Sequence, residues 1–194
     1  MSNFENITMT GRLCYIFMCM ERYLVTLYPD RDWTPVAKRM WQWTTHGWNE
    51  SWDIYSEAVP EYIMQFDTYE ETNKLAYDGT LKRCDYDEIT LLFKNMTNGS
   101  GDDEFCRILR IPIDFGNACE GAGFRDAEPE VNELIHEVET ILQGHGIPLP
   151  EKESLIHFIF DREKPVALNE KNPGWGDYEA TDHLSVILKQ EETL

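Results

Sequence analysis

The densest grouping of metal-ligand residue types in the 194-residue chain is Glu133, His136, Glu137 and Glu139, with His145 a little further on. Hydrolytic metal centres need closely spaced imidazoles and carboxylates, and the helical signature is H-E-x-x-H, with both histidines on one face. That signature is absent, and a helix this acidic places carboxylates near any histidine by chance. No metal is expected. The five cysteines, Cys14, Cys19, Cys84, Cys106 and Cys119, are odd in number and form no C-x-x-C pair. They read as reduced thiols of a cytoplasmic protein. The glycines at 116, 121 and 123 do not follow a strand into a helix as a phosphate loop requires, so no cofactor is expected.

Arg39 and His46, separated by six residues near the end of a predicted helix, are the remaining pair with catalytic potential. They resemble the Arg-x(4–6)-His motif of HEPN-type ribonucleases, in which the two side chains flank the scissile phosphate. The resemblance implies an all-helical ribonuclease. Met40 departs from the polar residue that family usually carries there, and the acidity of the chain would repel RNA. A structural account also exists: a surface arginine, and a histidine favoured by the negative end of the helix dipole.

The elements that position these residues centre on Trp33 to Tyr55, which holds five of the six tryptophans. Thr34 can cap a helix with Pro35 in its first turn, and Val36, Met40 and Trp43 fall on one face. That helix should end near Gly47, with Trp48, Trp52, Tyr55 and Val59 striping the next up to Pro60. Aromatics at this spacing mostly build core. Trp41, however, sits off the face of Trp43, which predicts some exposed aromatic surface of the kind that anchors a partner.

Charge separates the two halves of the chain. The 17 basic and 36 acidic residues leave a net −19, of which residues 101–194 carry −13. Binding driven by phosphate neutralisation is close to excluded, so no nucleic-acid partner is expected. The carboxylates either solvate the surface or match a basic partner, whose approach they would accelerate. The apolar run Leu13 to Met20 is stopped by Glu21 and Arg22 and is too short to span a bilayer, so no membrane role is expected.

The periodicity predicts an all-α, compact multi-helix single domain. Its first helix runs from about Thr8 to Tyr28, followed by the tryptophan corner and helices over Pro60 to Phe66, Thr68 to Tyr77 and Asp85 to Met96. Thr68 and Glu71 form a capping-box pattern. A loop at 98–101 follows, then a helix from Asp102 that Pro112 should end or kink. The strongest helix of the second half spans Glu130 to Gln143. Near the C-terminus Leu155, Ile156, Ile159 and Phe160 fit a helix, while Ile156, Phe158 and Phe160 also fit a strand of a short strand pair, and Trp175 should pin a Gly/Pro-rich loop to the core.

A compact, acidic, tryptophan-rich helical chain without a catalytic motif resembles the mostly helical immunity proteins of bacterial polymorphic-toxin systems. The resemblance rests on GRLCYIFMCMERYL, WQWTTHGWNESWDIY and the acidic second half. It implies a non-enzymatic inhibitor that occupies the active cleft of a cognate, basic, nuclease-type toxin. The expected contacts are Trp41, Trp48 and Trp52 with Asp102, Asp103, Glu104, Glu133 and Glu137. The alternatives are the HEPN-like ribonuclease and a helical scaffold or adaptor.

Overall fold

Every residue from Thr8 to Glu21 is buried, so this stretch has no solvent face and other elements must surround it. It forms most of helix α1 (Met9–Leu27), whose start is fixed by Thr8: the threonine hydroxyl accepts the Gly11 amide at 3.2 Å. The computed structural model describes residues 4–45, 48–72, 80–97, 103–164, 171–177 and 179–191. Among these the chain is predominantly helical, with α2 (Thr34–Gln42), α3 (Trp48–Ser56), α4 (Pro60–Ile63), α5 (Tyr69–Thr72), α6 (Arg83–Phe93), α7 (Glu104–Cys119), α8 (Phe124–Gly144) and α9 (Leu188–Glu191). Three 3₁₀ turns, Lys152–Phe158, Pro173–Trp175 and Asp182–Leu184, lie between α8 and α9.

The long helices α7 and α8 pack side by side, and both pack on α1, which also meets α2 and the first 3₁₀ turn. One contiguous apolar core runs from Phe4 to Ile187. Phe17 of α1 meets Trp41 with ring centroids 5.3 Å apart and Trp43 at 6.2 Å, and Trp43 meets Tyr55 of α3 at 6.0 Å. The tryptophan corner is therefore the lid of the core over α1.

Polar groups inside the core tie distant segments to α1. The Arg12 guanidinium, with no exposed surface, donates to the carbonyls of Phe4 and Ile7 and to Glu128 at 2.7 Å. Arg162 grips the same carboxylate at 2.6 and 2.8 Å, and both arginines lie over the Phe124 ring. This Arg–Glu–Arg cluster closes the N-terminal segment and the 160s against α8. Glu21 accepts from Trp41 Nε1 (2.7 Å), Ser185 Oγ (2.5 Å) and the Val186 amide (2.6 Å). The Ser185 oxygen accepts the Ile187 and Leu188 amides, so its one proton is available for Glu21.

Several expectations are corrected. Thr34 does not cap α2 but is its first residue: the N-cap is Trp33, without a side-chain cap, and Asp32 accepts the Thr34 amide at 3.0 Å. Helix α7 runs through Pro112 without ending. Proline deprives the Ile108 carbonyl of its helical donor. The Tyr55 hydroxyl donates to the next carbonyl, Leu109, at 2.6 Å, and holds α7 to α3 at this point. Helix α8 begins at Phe124, six residues before the predicted start, with Pro129 inside it. The C-terminal strand pair is replaced by the 3₁₀ turn Lys152–Phe158 and one isolated bridge, Ile7 to Ile159. The Glu71 carboxylate reaches the Asp67 amide, one residue short of the capping-box position. The predicted continuation of that helix to Tyr77 and the 98–101 loop lie outside the described residues, as does Gly47.

Candidate functional site

Gly116 lies in the middle of a helix, where glycine is unfavourable unless something needs the space. Here it is the Trp52 indole: a Cβ on Gly116 would stand 2.3 Å from Trp52 Cδ1 and 2.6 Å from Nε1. The indole of α3 thus lies directly on the backbone of α7, donating weakly to the Ile113 carbonyl at 3.4 Å. Beyond it opens a cleft of about 390 Å³ between α3, the end of α7 and the turn carrying Trp175. Trp52 and Trp175 line it, with Asp53 and Glu120 as carboxylates and Gly116, Asn117, Cys119 and Gly121 completing the wall.

The Trp175 side is held by its backbone. Thr10 Oγ1 of α1 donates to the Trp175 carbonyl at 2.9 Å, and Asn172 Oδ1 accepts the Gly174 amide at 2.9 Å. Gly176 has φ +79°, and a Cβ there would press on the Thr8 hydroxyl. The turn is fastened to the start of α1, as predicted for the loop, while the indole, half-buried, faces both the core and the cleft.

The charged side chains described in the cleft have one sign. Among the described residues that line it there is no lysine, arginine or histidine. The final turn of α7 carries no basic side chain either, so the negative end of a 16-residue helix adds to the two carboxylates. Cys119 is no nucleophile: burial pushes its thiol up to about 12.

The predicted contact residues do not assemble into one surface. Trp41 is buried, its nitrogen committed to Glu21, so the exposed aromatic expected at this position is corrected. The exposed face of α2 is made by Lys38 and Gln42, and Trp41 falls off it. Trp48 opens α3, but its side chain lies outside the described residues, as does Asp102 altogether. Asp103 caps α7 by accepting the Cys106 amide at 2.7 Å and the Thr97 hydroxyl. Glu104 sits 2.6 Å from His145 Nε2 and accepts from Tyr23. Glu137 is clasped by Arg107 through two bonds of 2.6 Å, joining α7 to α8, whereas Glu133 is exposed. Glu104 and Gly116 are separated by about 18 Å of helix rise, so the acids at the start of α7 are remote from the cleft that Trp52 lines.

Arg39 is buried, not a surface residue. It bonds Glu57 at 3.0 Å, Asp85 at 3.2 Å, Thr80 and the Ile54 carbonyl, a set that cross-links α2, α3 and α6. His46 lies outside the described residues. Among the described residues no group of three or more His, Cys, Asp or Glu could hold a metal ion, and no helix is long and apolar enough to cross a membrane. Sequence reasoning missed Asp53, Asn117, Glu120 and the cleft role of Trp175. Gly116 inside a helical pattern was the one available signal.

No family model, curated protein or solved structure matches the chain. Fold and site together define a predominantly helical protein whose tryptophan cleft carries two carboxylates among its described residues.

Proposed function

We propose that the protein is a non-enzymatic inhibitor, an immunity protein or antitoxin of the bacterial cytoplasm that neutralises a cognate basic toxin, of nuclease type, by covering its active cleft. One observation carries the reading: a concave site walled by Trp52 and Trp175 bears, among its described residues, two carboxylates and no cationic side chain. Aromatic walls supply short-range binding energy, and a net charge of −19 supplies long-range attraction for a positive partner. A nuclease presents such a surface, because it must hold phosphates.

The test is capture from a lysate of the source cell at low salt, followed by a high-salt wash and mass spectrometry of what is released. A single basic protein shed by salt, whose nuclease activity falls when the protein is added back, supports the reading. Capture of no basic protein, or of one whose activity is unaffected, rejects it.

A further inference from the structure

We propose that the cleft between Trp52 and Trp175 is a receptor for a single arginine side chain of the partner. The proposal rests on the inhibitor reading for its partner, but its chemistry stands on the cleft alone. Asp53 and Glu120 bring two negative charges to the lining, and the end of α7 brings the negative pole of its dipole with no basic side chain in the last turn. These features repel an anion and, with Asp53 half-buried and Glu120 exposed, favour a positively charged ligand over an apolar one. A cation is complementary to this lining.

The aromatic walls select among cations. Indole is the strongest neutral partner for a cation held over its face. A guanidinium is flat, stacks on aromatic rings, sheds water more readily than an ammonium and can hydrogen-bond a carboxylate through two parallel N–H groups. Asn117 adds an amide oxygen as a further acceptor at the rim. The volume of about 390 Å³ admits an extended side chain with its attached backbone. The thiol of Cys119, kept neutral by burial, leaves the wall uncharged apart from the carboxylates. The walls are also fixed in place: Trp52 rests on Gly116, and the Trp175 turn is bound to Thr10.

The experiment follows the indole N–H signals of Trp52 and Trp175 by ¹H–¹⁵N NMR, each assigned by its Phe variant, during titration with acetyl-Gly-Arg-Gly-amide. The same peptide with citrulline in place of arginine is the neutral control, and Glu120→Gln is the test variant, its fold checked by thermal melting. Saturable movement of both signals with the arginine peptide is expected, with binding weakened about two- to fivefold by Glu120→Gln and by citrulline. Equal shifts with citrulline, no shift at either indole, or unchanged binding in Glu120→Gln overturns the proposal. Glu120→Lys then separates it from the inhibitor reading. A captured basic partner that binds this variant as tightly as wild type overturns the arginine receptor and leaves the inhibitor standing. An arginine peptide that seats in the cleft of a protein capturing no basic partner upholds the receptor and removes the inhibitor.

Discussion

The Trp41 indole donates to the Glu21 carboxylate across 2.7 Å in a site closed to solvent. The same carboxylate receives Ser185 and Val186, so one acidic side chain joins α1, α2 and the approach to α9. Burial raises the Glu21 pKa, and the three donors oppose that shift. Glu21→Ala strands these donors in the core and should destabilise the fold by about 3 kcal/mol. Urea denaturation measures the loss, and hydrogen exchange should show the Val186 amide among the first to lose protection. Unchanged protection at Val186 would mean that the C-terminal segment is held by its apolar contacts alone.

Glu128 sets an acid limit. Its hydrogen bonds from Arg162 and Arg12 hold its pKa below the ordinary carboxylate value of 4.5, against the effect of burial. A depressed carboxylate pKa stabilises the fold above the unfolded value, and the contribution disappears as pH falls through the folded value. The urea midpoint should therefore decline below about pH 4.5, with the decline reduced in Glu128→Gln. At neutral pH that variant leaves Arg12 buried without its anion and should lose about 3 kcal/mol.

Gly116→Ala opposes two effects. Alanine favours a helix interior by about 1 kcal/mol over glycine, while the added methyl must displace the Trp52 indole, an overpacking of about 1 to 3 kcal/mol. Displacement should win, because the clash is with a ring held between α3 and α7. A lower melting temperature with altered tryptophan emission is expected. A higher melting temperature would show that the indole moves aside freely.

The thiols should divide one against four. Cys84 is exposed, whereas Cys14, Cys19, Cys106 and Cys119 are buried. Burial pushes Cys14 and Cys119 up to about 12 and raises Cys19 as well. A thiol reagent such as Ellman's should titrate one group in the native protein and five after denaturation. Two or more fast-reacting groups before denaturation would contradict the packing of α1 or α7.

What could be read from residue order was the local pattern. The apolar stripe of α1, the Asp103 region as the start of α7 and the apolar face of α8 follow from helical spacing, and each is present. What could not be read depends on partners far along the chain. Glu21 looked like the charge that ends an apolar run, because Ser185 and Val186 are invisible from its neighbourhood. Pro112 was expected to end or kink a helix that in fact continues through it to Cys119. Trp41 looked exposed because a wheel assumes one solvent face. The cleft was obscured for the same reason: Trp52, Glu120 and Trp175 meet only after α3, α7 and the 173–175 turn are in place.

The enclosure of α1 also governs how the protein is made. Glu21 must wait for Ser185, which follows it by 164 residues, and at ribosomal rates of about 5 to 20 residues per second that is roughly ten to thirty seconds. Throughout that interval the most apolar segment of the chain has left the ribosome without its final neighbours. In that interval its apolar surface is open to association with other chains, which the finished fold no longer allows.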